Sequence, residues 1–380
     1  MTDLTCDPLE TLRARTSAKW STFPGDVLPL FVAEMDFPIA APVADAIVSR
    51  VLASDTGYVG SPAPLGAAFA GFANCAWGWQ VDPARVRTTT DVSVAIVETL
   101  RRVIDPGDGV IITPPVYPPF FDLVPEAGGT VVEVPLIDDG VAHSLDLDAI
   151  GAAFAAGARA ILLCNPHNPL GLVHSRAALV ALAELADRYD ATVVSDEIHA
   201  PLVHSGGAFH PFLSVSDAAR ERGVCVTSAS KGWNIAGTKC AIMVAASDRG
   251  VATLDSMPDE VGFRTSLLGL HASVAAFEQG GPWLDAAVRA IEHSADLLQE
   301  LVAEHLPGVV VRRPAASYLG WLDFRPLGWG DDPSIRALES GRVALNAGHT
   351  FGRQGAGFAR INLACSPGVL SEAIRRLAAA

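Results

Sequence analysis

Between Arg85 and Ala245 the chain alternates short apolar runs with stretches of helical spacing. Val86–Thr89, Val110–Thr113, Thr130–Val134, Ala160–Cys164, Thr192–Ser195, Val224–Thr227 and Ala241–Val244 are nearly continuous in apolar or β-branched residues. Gly, Pro, Asn or Asp punctuate many of their ends, and such runs read as buried strands. Ser93–Val103 and Arg176–Tyr189, lying between strands, read as helices. Strands apolar on both faces and separated by helices predict an α/β fold with a large, mostly parallel sheet covered on both sides. In such sheets, ligands sit beyond the carboxyl ends of the strands.

The pattern changes on either side of this core. Pro24, Pro29, Pro38 and Pro42 break up residues 1–45, with a helix expected after Pro42. Beyond Ala245, Phe263–Phe277 and Trp283–His305 read as helices. Val309–Val311, Ser317–Asp323 and Ala359–Leu363 read as strands of a second, smaller sheet. The expected organisation is a large domain over 46–282 and a smaller α+β domain built from 1–45 and 283–380.

Composition narrows the partners. Half of the 380 residues are hydrophobic, enough for a large core, and 27 Lys+Arg against 42 Asp+Glu give a net charge of −15. An acidic chain with no basic run points to no nucleic acid and no anionic membrane. No apolar run is long enough to span a bilayer, and the polar first twenty residues carry no signal-peptide core. The six cysteines are scattered, with no CxxC pair, as expected of reduced thiols in the cytoplasm.

The candidate chemistry falls at strand ends. The run Val224–Thr227 empties into Ser228-Ala229-Ser230-Lys231, followed by a glycine-containing loop that holds Lys239. The hydroxyls of Ser228 and Ser230 and the Lys239 ammonium suit a phosphate. Lys231, at the end of an apolar strand, would have its amine pKa depressed, as a Schiff-base lysine requires. The first strand leads through Asp91 into a helix start where the backbone N–H groups of Val92 and Ser93, with the Ser93 hydroxyl, form an anion site. Prolines hold Tyr117 rigid after the second strand, where it can stack on a flat ring. Asn165-Pro166 and Asn168-Pro169 demand a specific turn that directs the Asn168 side chain. Asp196 and Glu197 close a buried strand and point to opposite faces, with His199 just beyond. His199, His204 and His210 match no metal-ligand spacing, and no metal is expected.

Together these residues supply an anion cradle, an aromatic plate, a hydrogen-bond donor, a carboxylate and an amine. Pyridoxal phosphate asks for that set: a phosphate, a ring nitrogen kept protonated by an acid, a phenolic oxygen and an aldehyde. The usual dinucleotide and P-loop motifs are absent. In the order Asn168-Pro169-x-Gly171, Asp196-x-x-His199, Ser228-x-Ser230-Lys231, the chain resembles the fold-type I pyridoxal phosphate enzymes of the aspartate aminotransferase class. The separations, 28 residues from Asn168 to Asp196 and 35 from Asp196 to Lys231, fit as well. Softer marks are similar to the cystathionine β-lyase or C–S lyase subfamily of the MalY/PatB type: Ala33-Glu34-Met35-Asp36-Phe37, Tyr117-Pro118-Pro119-Phe120, Asn234-Ile235-Ala236-Gly237 and Ser317–Asp323.

The resemblance implies an aspartate-aminotransferase-like fold and assigns roles by position. Lys231 would bond the cofactor aldehyde, Asp196 would pair with the ring nitrogen, Asn168 and His199 would reach the ring oxygen, and Tyr117 would stack. Arg360, in the strand GFARINL, would clamp the α-carboxylate of an amino-acid substrate. Tyr58 would reach the phosphate of a neighbouring subunit, implying a homodimer with shared active sites. Two departures stand out: Lys239 occupies a position where many relatives have Arg, and Asp91 one where relatives often have Gly. The implied activity is cleavage of cystathionine or another S-substituted L-cysteine to thiol, pyruvate and ammonia, with Lys231 or Tyr117 protonating the leaving thiol. The alternatives are an aminotransferase, which shares the first steps, and a regulatory protein that keeps the cofactor with weak lyase activity.

Overall fold

In the computed structural model, which describes residues 4–380, the seven expected strands form one sheet. They are β1 (Val86–Thr89), β2 (Gly109–Ile112), β3 (Thr130–Glu133), β4 (Ala160–Cys164), β5 (Thr192–Asp196), β6 (Gly223–Thr227) and β7 (Ala241–Ala245). Their spatial order is β1-β7-β6-β5-β4-β2-β3. Only β7 runs against its neighbours β1 and β6; the remaining pairs are parallel. The carboxyl ends of β1, β2, β4, β5 and β6 therefore share one edge, and the reversed β7 begins at that same edge. Both faces are apolar because alternate residues feed two separate cores. Ile161, Leu163 and Val193 point into one, and Ala160, Leu162 and Val194 into the other.

A second sheet of four antiparallel strands follows: β8 (Val310–Val311), β9 (Leu319–Asp323), β10 (Asn346–Ala347) and β11 (Phe358–Asn362), in the order β8-β9-β11-β10. Helices Gly281–His305 and Pro367–Ala379 pack on it, sharing a third core with Leu298, Leu322, Ile361 and Leu370. Leu28–Pro29 pairs in parallel with Val343–Ala344, which ties the N-terminal segment to this lobe. From there Phe31–Phe37 is pinned on several sides. Asn362 Nδ2 donates to Val32 O (2.8 Å) and Glu34 O (2.5 Å). Asn234 both accepts from Met35 N (2.8 Å) and donates to Met35 O (2.9 Å). Lys19 and Asp36 form a fully buried ion pair at 2.8 Å, with Trp20 Nε1 donating to the same carboxylate.

Several expectations need correction. The single helix over Phe263–Phe277 is two, Asp259–Phe263 and Leu267–Gln279, because Ser266 caps the second by accepting from Gly269 N (3.1 Å). The segment that prolines break up also holds unpredicted short helices at Leu9–Arg13 and Ala18–Ser21, and β10 had no signal in the sequence. The domain limits drawn at 45/46 and 282/283 fall inside helices Ala41–Leu52 and Gly281–His305; residues 1–3 of the first segment lie outside the described residues. Among the described residues no helix is long and apolar enough to cross a membrane.

Candidate functional site

The strand β6 ends at Thr227, and the chain turns at once into a single helical turn, Ala229–Gly232. Ser228 makes the turn. Its Oγ accepts from Ser230 N (3.1 Å) and donates to Cys240 O (2.6 Å). The hydroxyl proton is thus directed at the backbone, and of the two serines in this turn Ser230 is the one that lines the cavity. The turn delivers Lys231 to the carboxyl edge. Its Nζ donates to Ala33 O (2.9 Å), which also accepts from the hydroxyl of buried Tyr318 (3.0 Å). Burial, and secondarily the Arg360 charge, bring the Lys231 pKa down from 10.5 to about 8. About a tenth of the amine is thus uncharged at pH 7.

Asp196 closes β5 beside it. Burial raises this carboxyl to about 7, opposed by the bond from Ile198 N (3.1 Å) and by the Lys231 charge. His199, two residues on from Glu197, meets Ser317 Oγ through Nδ1 at 3.1 Å. Burial and the nearby Lys231 and Arg360 charges push its pKa to about 3, so the imidazole is neutral. Asn168 follows β4. Its Oδ1 accepts from Arg360 Nη1 (3.1 Å), which leaves the donor end, Nδ2, for a ligand.

Arg360 comes from β11 of the second sheet, so both sheets contribute to this site. It is buried, donates to Asn168 and to Phe31 O (2.9 Å), and lies 5.1 Å from the centre of the Phe351 ring. Its Nε has no partner among the described residues. A buried guanidinium with an unspent donor has room for an anionic guest. Burial lowers its pKa to about 10, which still leaves it charged at neutral pH. Tyr117, on the loop after β2, lines the same space, and its phenol pKa is raised by burial and then by the Asp196 charge.

The opposite end of the cavity is the start of helix Val92–Val103, with Val92 and Ser93 in its first turn. Asp91 caps that helix, accepting from Val94 N (3.0 Å), and its other oxygen pairs with Lys239 at 3.2 Å. Lys231, Asp196, Asn168, His199, Tyr117, Val92, Ser93, Ser230, Lys239 and Arg360 all line one cavity of about 560 Å³. Tyr58 does not join them: it is 90% exposed on the surface of the chain.

The sequence reading missed the roof. Phe31, Val32 and Ala33 line the cavity, and Ala33 contributes a carbonyl, which no side-chain pattern reveals. Cys164, Asn346 and Thr350 also face the space, while Ser317 and Tyr318 stand behind His199 and Lys231. The run Ser317–Asp323 reads in the sequence as a strand and a family mark, with no site role for Ser317 or Tyr318.

The donor set fits pyridoxal phosphate. An amine of depressed pKa, an acid for a ring nitrogen, a free amide donor and a helix start with a lysine answer the aldehyde, the pyridine, the phenolic oxygen and the phosphate. The volume falls within the ~300–1,000 Å³ typical of small-molecule sites. The sequence profile of the family described as aminotransferase class I and II matches residues 62–377. A Mycobacterium leprae relative, provisionally named a cystathionine beta-lyase, is 45% identical over 97% of this chain and 96% of its own. The cystathionine beta-lyase of Corynebacterium glutamicum is 36% identical over 97% of this chain and 98% of its own. The crystal structure of cystalysin from Treponema denticola, which contains pyridoxal 5'-phosphate, superposes with a TM-score of 0.93 at 25% identity, covering 100% of this chain and 98% of that one. Fold, site and sequence agree: the chain belongs to the class I and II aminotransferase family of fold-type I pyridoxal phosphate enzymes, in its cystathionine β-lyase branch.

Proposed function

We propose that the chain is a pyridoxal-phosphate-dependent carbon–sulfur β-lyase. It cleaves the Cβ–S bond of cystathionine or related S-substituted L-cysteines and, with water, yields a thiol, pyruvate and ammonia. The observation that carries this reading is the meeting of the Lys231 amine, the Asp196 carboxyl and the Arg360 guanidinium in one cavity. The names of relatives at 36–45% identity favour elimination over transamination. When bound, the cofactor supplies an electron sink for charge that develops at the substrate Cα.

The chain's own groups do the rest. Arg360 holds the substrate α-carboxylate, bringing its unpartnered Nε into play. Lys231, with a pKa of about 8, takes the Cα proton. Asp196 would keep the proton on the ring nitrogen, and the cation gained there would offset the burial that otherwise favours its neutral form. Asn168 and His199 would hold the phenolic oxygen. Tyr117 would cover the ring, and Tyr117 or Lys231 would hand a proton to the departing sulfur. The N–H groups of Val92 and Ser93, the hydroxyls of Ser93 and Ser230, and Lys239 hold the phosphate.

The same reading pairs two chains, with Tyr58 reaching the partner's phosphate. Exposed Tyr58, together with exposed Val48, Val51, Leu52 and Phe263, supports such a contact. The six free thiols support a cytoplasmic setting. We also read two lobes, the large sheet with its helices and the second sheet with the N-terminal segment, closing over the site between them.

Incubation with cystathionine tests the proposal through release of pyruvate and free thiol. Production of both without added keto acid is the expected result, and Lys231→Ala abolishes it. Turnover that requires a keto acid and releases no thiol means an aminotransferase instead. Cofactor binding without either activity means a binding protein.

A further inference from the structure

The phosphate end of the cavity contains a charge arrangement that the reaction does not explain. Three cationic side chains line the cavity, and two of them, Lys231 and Arg360, are committed at the other end. Lys239 is the one left for a phosphate, and it is already paired with Asp91 at 3.2 Å. The residue is held at φ +57°, a left-handed conformation that non-glycine residues seldom adopt, and its carbonyl is fixed by Ser266 N (3.2 Å). Asp91 is held as firmly by its bond from Val94 N (3.0 Å). Both line the cavity together with Val92 and Ser93, whose N–H groups open the 12-residue helix Val92–Val103.

Capping does not require this carboxylate. Asn and Ser cap helices about as well as Asp. The negative charge is therefore separable from the structural role, and its effect at this place is to cancel Lys239. The cradle keeps only the partial positive charge of the helix start, roughly half a unit.

We infer that Asp91 is a second, affinity-setting residue of the phosphate site: it holds the cradle near neutrality, shares Lys239 with the incoming phosphate ester, and weakens the hold on that ester. The inference rests on the assignment of this end of the cavity to a phosphate. The ligand class is a phosphomonoester, whose second negative charge Asp91 opposes.

The test compares the full chain, stripped of cofactor, with its Asp91→Asn variant, which keeps the cap and removes the charge. The dissociation constants of inorganic phosphate and of pyridoxal phosphate are measured by titration calorimetry. Both are expected to fall about five- to tenfold in Asp91→Asn, a range set by the partial exposure of the pair. Lys239→Gln is expected to weaken phosphate more in the Asp91→Asn background than alone, because Lys239 is no longer shared. Unchanged or weaker binding by Asp91→Asn overturns the inference and makes Asp91 a cap and tether only. Asp91→Ser gives the same reading through a shorter cap if the Asn variant fails to fold. Inorganic phosphate tests the cradle independently of the cofactor: a wild-type chain that binds phosphate but not pyridoxal phosphate refutes the proposed function while still deciding the role of Asp91.

Discussion

Asp196 and Glu197 are consecutive, both are buried at the end of β5, and burial raises both carboxyls to about 7. Their surroundings differ completely. Glu197 faces the side of the sheet away from the cavity, where Ser195 Oγ (3.0 Å), Phe212 N (2.7 Å) and Cys225 Sγ (3.4 Å) donate to it. Asp196 faces the cavity, with Ile198 N as its protein donor and Lys231 and His199 across the space. Equal burial costs the two carboxyls about equally, but Glu197 is compensated by three protein donors and Asp196 by one. Asp196 has capacity left for a guest. A buried acid is a structural element when its donors are complete and a candidate binding group when they are not.

The largest effect belongs to the amine that Asp196 faces. Lys231→Ala is expected to reduce thiol release from cystathionine to background while leaving the circular dichroism spectrum unchanged; residual turnover above a thousandth of wild type contradicts its role. Next comes the pair itself. Asp196→Asn is expected to lower kcat by roughly 10²–10⁴-fold with little loss of melting temperature in the cofactor-free chain. Glu197→Gln is expected to do the reverse, destabilising the fold by about 1–3 kcal/mol while kcat moves little, because it disturbs a completed set of hydrogen bonds. If the two variants exchange these outcomes, the comparison is broken.

Arg360→Lys sharpens the same contrast at the substrate end. A lysine cannot reproduce the planar fork that serves Asn168, Phe31 O and a carboxylate together, so KM for cystathionine is expected to rise about tenfold with a smaller change in kcat. The smallest effect is one of pH. The Lys231 pKa is lowered from 10.5 to about 8, so the fraction of reactive, uncharged amine grows as pH rises, reaches half near that pKa and levels off about one pH unit above it. The rate at which the cofactor-free chain captures pyridoxal should follow that curve in a stopped-flow experiment. A rate still climbing steeply at pH 10 indicates an amine that the site does not perturb.

Much of this was legible in the chain, for identifiable reasons. Strands such as Ala160–Cys164 and Thr192–Asp196 are buried on both faces and so read as unbroken apolar runs. Polar groups placed directly after such runs, like Asp196, Asn168 and Lys231, stand out because burying them needs a reason. What stayed hidden depends on contacts between distant parts of the chain. Ala33 meets Lys231 across 198 residues through a backbone carbonyl that any amino acid could provide. The Ser228 hydroxyl looked available until the fold brought Cys240 O to it. The reversal of β7 leaves no trace in its composition, because an apolar strand buried on both faces reads the same in either direction. The break in Phe263–Phe277 lies in a local cap at Ser266, a signal that was present but outweighed by the surrounding helical spacing.

The chain has three lysines: Lys19 is buried against Asp36, Lys239 pairs with Asp91, and Lys231 faces Asp196 and Arg360 across the cavity. Borohydride reduction of the chain saturated with pyridoxal phosphate, followed by peptide mass mapping, therefore has only three lysine side chains to distinguish. One label per chain, carried on Lys231, is the expected result; a label on Lys19 or Lys239, or none at all, contradicts the site.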